Sequence, residues 1–326
     1  MVRFLDFCTK RSTPALLPPE KFHCFGDWLH INAETPKEVI YTAYFAMSAR
    51  LASQAADVLG KADDAARFRD LYARVKAAFQ KAYVAADGKI KGDTQTVYVL
   101  ALAGDLVDGA QRAQAAQHLV ANIEARENHL STGFVGTRDI LHVLSKIGRQ
   151  DVAYRLLHND TFPSWGFTIK HGATTIWERW DGWTPDKGFQ TPGMNSFAHY
   201  AFGAVYQWMV ENIGGIRNDA PGYRKIRIAP VPDPKLEWAR VRYDSPAGPI
   251  VSAWRRAKSG AVSFDIEIPA NTTATVVLPA PSAAALTEGG RPLATAPGVK
   301  VVREGGGTVE LAVGSGHYAF ATAAPR

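Results

Sequence analysis

The sequence predicts a mainly α-helical domain over residues 1–217, followed by a β-sandwich over residues 218–326. Two observations predict this order. Apolar residues recur at steps of three and four as far as about residue 215, which is the spacing of one helix face. After Ala220 they alternate with period two, and turn residues cut the alternating stretches into short strands. We therefore expect helical hairpins first and a two-layer β domain second.

The first long helix is predicted to begin at Thr35, which can cap its N-terminus. Pro36 suits the first turn, and Glu38 stands three residues after the cap. Apolar residues then follow on one face up to Val58, and Gly60 ends the helix. Further helices are predicted over Asp63–Phe79, Thr94–Leu106, Gly109–Arg126, Thr137–Ile147, Gln150–His158 and Asn195–Asn212. Short connections between these seven helices are typical of hairpins packed around an axis.

The strands of the β domain are predicted from alternation alone. They cover Lys225–Pro230, Ala239–Tyr243, Val262–Ile268 and Ala274–Leu278. Turn residues separate them at 246–248, 258–260 and 270–271. Short alternating strands at this spacing are typical of a β-sandwich.

Bulk composition excludes several classes of partner. The 326-residue chain is 46% hydrophobic and 21% charged, as in ordinary globular proteins. Its formal net charge is +6, but the Lys and Arg residues are scattered, so we expect no nucleic-acid partner. No stretch approaches the roughly 18 apolar residues of a membrane span, so we expect no membrane partner.

The N-terminal residues contain no apolar run of the kind that a signal peptide needs, so we expect a cytoplasmic protein. In that compartment Cys8 and Cys24 would be free thiols. The histidines between His129 and His199 lack ligand spacing with nearby acidic residues. We therefore expect no metal ion and no cofactor.

The segment between residues 162 and 194 breaks the helical pattern and carries four of the eight tryptophans. Within it, Glu178 lies among tryptophans and directly before Arg179. Aromatic rings pack against the C–H face of a sugar, while carboxylate and guanidinium groups bind its hydroxyls. A Glu in such a pocket can act as a general base or as a nucleophile. Equally, the tryptophans could fill the core and Glu178 could pair with Arg179; composition does not decide between these interpretations.

Five motifs, taken in order, resemble the bacterial α-L-rhamnosidases of glycoside hydrolase family 78 over residues 20 to 280. They are Gly26-Asp27-Trp28-Leu29, Thr132 to Thr137, Pro163-Ser164-Trp165-Gly166, Gly172 to Trp180 and Ser196-Phe197-Ala198-His199-Tyr200. The resemblance implies part of an (α/α)6 toroid followed by a C-terminal β-sandwich. It also implies exo-acting, inverting hydrolysis by one Glu acting as base and one acting as acid.

Site residues follow from the resemblance by position. Glu178 matches the family's general base, His199 matches a sugar-binding histidine, and Trp28 matches an aromatic wall of the pocket. Further substrate contacts are predicted at the remaining residues of the tryptophan-rich segment: Trp165, Trp177, Arg179 and Trp180.

Two departures from the family pattern change the expectations. The Arg-Asp-Glu-Arg motif that carries the family's acid is absent upstream of Gly26, so Asp27 becomes the leading candidate acid, with Asp139 and Asp181 behind it. Ala198 stands where the family usually has Asn. Three alternatives to a rhamnosidase therefore stay open: an exo-glycosidase of changed specificity such as a β-galactosidase, a non-catalytic sugar-binding protein, or a structural fragment completed by a partner chain.

The helix count also predicts an assembly. Seven helices do not close a ring of six hairpins, so apolar side chains such as Leu100, Leu102, Phe45 and Tyr41 are expected at an open side. A symmetric homodimer would bury them, since twofold association is the commonest oligomeric solution.

Overall fold

The computed structural model describes residues 1–322, and the chain divides into two compact units, Met1–Val205 and Tyr206–Arg326. Helices make up most of the regular secondary structure of the first unit. The second contains two β-sheets. The predicted order, mainly α followed by β, is therefore confirmed.

The α-helices of the described residues are α1 (Val2–Arg11), α2 (Lys37–Val58), α3 (Ala62–Tyr83), α4 (Gln95–Ala103), α5 (Gly109–Ala125), α6 (Phe134–Lys146), α7 (Gln150–His158), α8 (Trp165–Lys170) and α9 (Val205–Trp208). Helix α2 packs against α3, and α4 packs against α2, α5 and α6. A two-stranded ribbon of β1 (Trp183–Thr184) and β2 (Gly188–Phe189) completes this unit.

Helix α4 forms the centre of the helical unit, because its residues from Gln95 to Leu102 are all buried. A helix that is apolar on all sides must be surrounded. The Thr94 hydroxyl caps it by accepting a hydrogen bond from the Val97 N–H. The predicted cap at Thr35 is wrong, because the Thr35 hydroxyl instead lies 2.9 Å from that of Thr94 and no side chain caps α2.

The expected apolar open side does not include the residues predicted for it. Leu100 and Leu102 are fully buried in α4, and Phe45 is buried in α2. Only Tyr41 among the four is partly accessible. The prediction was wrong here because α4 is enclosed by α2, α5 and α6.

The predicted helix Asn195–Asn212 is also wrong over its first half. Residues 195–200 are not helical, a 3-10 turn covers Ala201–Ala204, and a π-helical turn over Met209–Ile213 follows α9. The cause is a competing set of backbone hydrogen bonds. Glu178 N–H donates to the Ser196 carbonyl at 2.8 Å, and His199 N–H donates to the Ile176 carbonyl at 2.9 Å.

The strands of the second unit are β3 (Ile216–Asn218), β4 (Lys225–Ile228), β5 (Trp238–Ser245), β6 (Gly248–Arg256), β7 (Val262–Ile268), β8 (Thr273–Pro279), β9 (Leu286–Glu288), β10 (Arg291–Pro292), β11 (Val299–Gly305), β12 (Thr308–Val313) and β13 (Gly316–Thr322). They form a six-stranded sheet in the order β10-β9-β13-β7-β6-β5 and a five-stranded sheet in the order β11-β12-β8-β4-β3.

Alternating burial identifies the inner face of this sandwich. In β7 the side chains of Val262, Phe264, Ile266 and Ile268 are buried, as the sequence predicts. Strand β6 was not predicted, since its consecutive burial from residue 250 to 252 hides the period of two.

Candidate functional site

The backbone pairs the stretch around Glu178 with the stretch around Ser196. Glu178 N–H donates to the Ser196 carbonyl at 2.8 Å, and Ser196 N–H donates in return to the side-chain Oε2 of Glu178 at 2.9 Å. The Thr175 hydroxyl adds a hydrogen bond to the Phe197 carbonyl. These contacts fix Glu178 beside His199, although 21 positions separate them in the sequence.

Glu178 and His199 form the polar centre of the site. His199 Nε2 lies 3.9 Å from Glu178 Oε1, and the two side chains are 24% and 14% exposed. His199 Nδ1 accepts a hydrogen bond from the Ala201 N–H at 3.2 Å, which leaves the proton of the neutral ring on Nε2. Nε2–H therefore faces the carboxylate, and Oε1 is the oxygen that is not bound to the backbone.

An aromatic groove adjoins this pair through Phe134. The Phe134 ring stacks on His199 with centroids 4.9 Å apart and planes at 28°. Phe134 also lines a groove of about 580 Å³ together with Phe25, Trp28 and Tyr44. The sequence argument did not single out Phe134, although it belongs to one of the five matched motifs.

Trp28 is the accessible tryptophan of the predicted set, with 41% of its surface exposed. Its carbonyl accepts a hydrogen bond from the Phe134 N–H at 3.0 Å. Gly133 makes this approach possible, because a Cβ on residue 133 would lie 2.1 Å from the Trp28 carbonyl oxygen. Trp28 and Phe134 are thus held to each other through the backbone.

Asp27, the predicted acid, is 1% exposed. Its Oδ2 accepts hydrogen bonds from the Thr96 hydroxyl and from Gly133 N–H at 2.8 Å. Its Oδ1 accepts from Val135 N–H at 2.8 Å and Gly136 N–H at 3.2 Å. Three of these donors are the free N–H groups at the start of α6, so Asp27 caps that helix from a distance.

These contacts contradict an acid role for Asp27. Burial raises the pKa of its carboxyl above the ordinary value, and the four hydrogen bonds offset this only in part, so the objection to an acid role is one of access and not of pKa. A carboxylate offers about four lone-pair sites, and all of them are taken by donors. Since Asp27 is almost completely buried and has no free lone pair, it is placed to hold α6 and not to protonate a leaving group.

Trp165 and Trp180 lie behind the site. They are 6% and 2% exposed, and their indole N–H groups donate to the carbonyls of Phe202 and Thr132, each at 2.9 Å. Trp180 also stacks on Phe202 with centroids 3.9 Å apart. The prediction that both tryptophans contact substrate is therefore replaced by a packing role, since no ring face remains open.

Trp177 and Arg179 are also engaged within the protein. Trp177 is 8% exposed and packs edge-to-face on Phe197. Arg179 forms two hydrogen bonds with Asp181, at 2.9 and 3.2 Å. Arg179 thus pairs with Asp181 and not with Glu178, so the alternative of a Glu178–Arg179 pair, which the sequence left open, does not hold.

No group of three or more His, Cys, Asp or Glu side chains within residues 1–322 is arranged to hold a metal ion. In the same part of the chain, no helix combines the length and apolar character needed to cross a membrane.

Two family models match the chain. The model described as the bacterial α-L-rhamnosidase six-hairpin glycosidase domain matches residues 1–213. The model described as the bacterial α-L-rhamnosidase C-terminal domain matches residues 215–291. The junction between the matches lies close to the change from helices to strands.

Curated relatives agree with these models. An α-L-rhamnosidase of Streptomyces avermitilis is 49% identical over 319 residues, which cover 97% of this chain and 29% of the relative. An α-L-rhamnosidase of Formosa agariphila is 37% identical over 305 residues, which cover 91% of this chain and 33% of the relative.

Solved structures show the same correspondence. The crystal structure of Streptomyces avermitilis α-L-rhamnosidase complexed with L-rhamnose matches 98% of this chain with a TM-score of 0.91 at 48% identity, and the match covers 30% of that structure. The native Aspergillus terreus enzyme matches 96% of this chain with a TM-score of 0.85 at 30% identity, over 34% of its own length. The chain thus spans about a third of the length of the relatives that it matches.

Proposed function

The chain belongs to the bacterial α-L-rhamnosidase family, and on this premise we propose that it binds a terminal α-L-rhamnosyl unit and that Glu178 serves as the general base for its hydrolysis. The observation that carries the proposal is the Glu178–His199 pair at 3.9 Å, flanked by accessible aromatic rings. The relatives are named as rhamnosidases, which supports a rhamnoside over a β-galactoside as substrate.

The proposed reaction is a direct displacement by water. Glu178 Oε1 takes a proton from water while the water oxygen forms a bond to the anomeric carbon, and the bond to the departing oxygen breaks with inversion. Ser196 N–H holds Oε2 and therefore fixes the carboxylate plane. An acid must protonate the departing oxygen unless the leaving group is already a weak base.

The sugar contacts are assigned to the accessible side chains. His199 Nε2–H can donate to a sugar hydroxyl that also reaches Glu178, because both groups face the same point. Trp28 offers an open ring to the apolar face of the sugar. Phe134 holds the His199 ring in place by stacking.

A sugar-binding protein without turnover is the second candidate, and the burial of Asp27 favours it. The leading acid candidate does not reach solvent. Asp181 is held by Arg179, and Asp139 lies 3.8 Å from Arg138. Activated aryl rhamnosides separate the two candidates, because they need little help from an acid.

The decisive experiment compares wild type, Glu178→Gln and the control Glu34→Gln on nitrophenyl α-L-rhamnoside. Glu34 is an exposed glutamate of the same unit. We expect turnover to fall about 100-fold or more in Glu178→Gln and to stay unchanged in the control, because the amide cannot take the proton. Thermal melting with and without L-rhamnose reports binding in each protein.

The outcomes are distinct. Full turnover by a folded Glu178→Gln protein would rule out the base assignment. A melting shift with L-rhamnose but no turnover in wild type would favour the sugar-binding candidate. Neither turnover nor a melting shift would overturn both.

A further inference from the structure

The outer face of the six-stranded sheet carries a second groove, within the second unit. It has a volume of about 570 Å³ and lies over β5, β6, β7 and β13. Trp238 stands at its β5 side with 57% of its surface exposed. We call this feature the sheet groove and define it by four of its lining residues, Trp238, Arg240, Arg255 and Asp265.

Strand register shows how the sheet groove is built. Trp238 is opposite Arg255, Arg255 is opposite Ser263, and Ser263 is opposite Ala321. Directly opposed residues share one face of a sheet. Since strands lie about 4.8 Å apart, this row extends roughly 14 Å from β5 to β13.

The next row of the same face follows the same plan. Arg240 is opposite Ala253, Ala253 is opposite Asp265, and Asp265 is opposite Ala319. Trp238 and Arg240 therefore stand on the edge strand β5, and the small side chains of the other three strands form a floor from which Arg255 and Asp265 project. A trough with a flat aromatic wall fits an elongated ligand that has both apolar faces and polar edges.

Trp238 supplies the apolar surface. A tryptophan on the outer face of a sheet exposes a large planar ring to water, and its burial against a ligand is favourable by the hydrophobic effect. The C–H face of a sugar ring is flat and matches it. More than half of the Trp238 surface is exposed, so the ring is accessible to such a ligand.

Arg255 supplies an uncompensated charge. Across residues 1–322 its guanidinium makes no hydrogen bond or ion pair, and its side chain is exposed. Arg240, by contrast, has Asp265 at 3.8 Å. The sheet groove therefore carries two arginines and one aspartate, and its free guanidinium has the fork geometry that binds a carboxylate through two hydrogen bonds.

From these features we propose that the sheet groove is a binding site for acidic carbohydrate, with a uronosyl ring stacked on Trp238 and its carboxylate bound by Arg255. The site lies wholly in the β-sandwich unit and does not depend on Glu178. It would hold the protein on a polymeric substrate while another site acts on terminal sugars.

Affinity electrophoresis in gels containing polygalacturonate tests the proposal. We expect the wild-type chain to be retarded, and we expect Trp238→Ala and Arg255→Ala each to lose about 10-fold or more in affinity. Tyr206→Ala and Arg303→Ala are the matched controls, since both residues are exposed in the same unit but outside the groove. The controls should migrate as wild type.

Three results would overturn the proposal. One is the absence of retardation by polygalacturonate in the wild-type protein. Another is a loss of polygalacturonate affinity in Arg255→Ala with none in Trp238→Ala, because it would indicate charge attraction without stacking. Retardation by dextran sulfate that is equal in wild type and Trp238→Ala would indicate the same. The third is equal retardation by a neutral polysaccharide, which would remove the role of the carboxylate. Circular dichroism of each variant verifies that the fold is retained.

Discussion

At the scale of single residues, the two acidic side chains first considered for the site differ in how their oxygens are used. Asp27 accepts four hydrogen bonds and is 1% exposed. Glu178 accepts one through Oε2, and Oε1 faces His199. A carboxylate oxygen needs a free lone pair to bind a water molecule or accept a proton. Of these two side chains, only Glu178 has one.

Replacing Asp27 by Asn tests this difference. The amide NH₂ would face backbone N–H donors at the start of α6, so two donors would lose their acceptor while buried. We expect the free energy of unfolding to fall by about 3 kcal/mol, measured by urea denaturation. If Asp27 were the acid, Asp27→Asn would instead slow substrates with poor leaving groups far more than nitrophenyl rhamnosides, at unchanged stability.

His199 is the second residue whose role can be isolated. His199→Ala removes the Nε2–H that faces Glu178 and the ring that stacks on Phe134. We expect the L-rhamnose melting shift to disappear while far-UV circular dichroism stays unchanged. The control is Phe162→Ala, which should keep the melting shift, because Phe162 is exposed and lies outside the groove that Trp28 lines. An undiminished melting shift in His199→Ala would show that His199 does not contribute to sugar binding.

At the scale of elements, one acidic side chain fastens three helices. Asp105 follows α4 and pairs with Arg50 of α2 at 2.7 Å, with Arg112 of α5 at 3.0 Å and with Lys146 of α6 at 3.0 Å. Partial burial raises the pKa of Asp105, but the hydrogen bond and charge of Lys146 and the charges of the two arginines lower it below its ordinary value.

This cluster predicts a pH-dependent contribution to stability. Asp105→Asn should lower the free energy of unfolding by about 1 kcal/mol at pH 7, since the pairs are partly exposed and screened. Because the folded pKa is lowered, the contribution is complete above the unfolded value of about 3.9 and is lost as the pH falls through the folded value. The difference in free energy of unfolding between Asp105→Asn and wild type should therefore vanish in strong acid. The control is Asp70→Asn, which removes an exposed ion pair with Arg74 and should differ little from wild type in stability at any pH. A difference that persists at acid pH would contradict the assignment.

At the scale of the whole molecule, the homodimer stays a prediction, now based on other residues. Leu51, Val58 and Leu59 are each more than half exposed and lie outside the groove that Trp28 lines, and Leu51 and Val58 are two turns apart on one face of α2. Large exposed apolar patches usually mark an interaction surface. Sedimentation at micromolar concentration should give a dimer for wild type and a monomer for the double variant Leu51→Ser, Val58→Ser. A dimer that survives the double change would move the interface elsewhere, and a strict wild-type monomer would refute the dimer.

The sequence by itself determined the order of the two regions and most helix positions in the first region. It also singled out the segment around Glu178 as the candidate site. These depend on local periodicity, turn residues and short motifs, which are readable within a few residues. Strand β7 was predicted with its observed bounds for the same reason.

Only the tertiary structure decided which of the predicted site residues are accessible. Asp27 meets its three backbone donors 106 to 109 positions further along the chain, and Trp180 meets Thr132 across 48 positions. Residues 195–199 have a helical pattern in the sequence, but in the structure they form hydrogen bonds with residues 175–178 instead of a helix. Contacts over such separations depend on how the helices pack, which the local sequence does not reveal. For this reason the sequence did not distinguish the exposed Trp28 from the buried Trp165, Trp177 and Trp180.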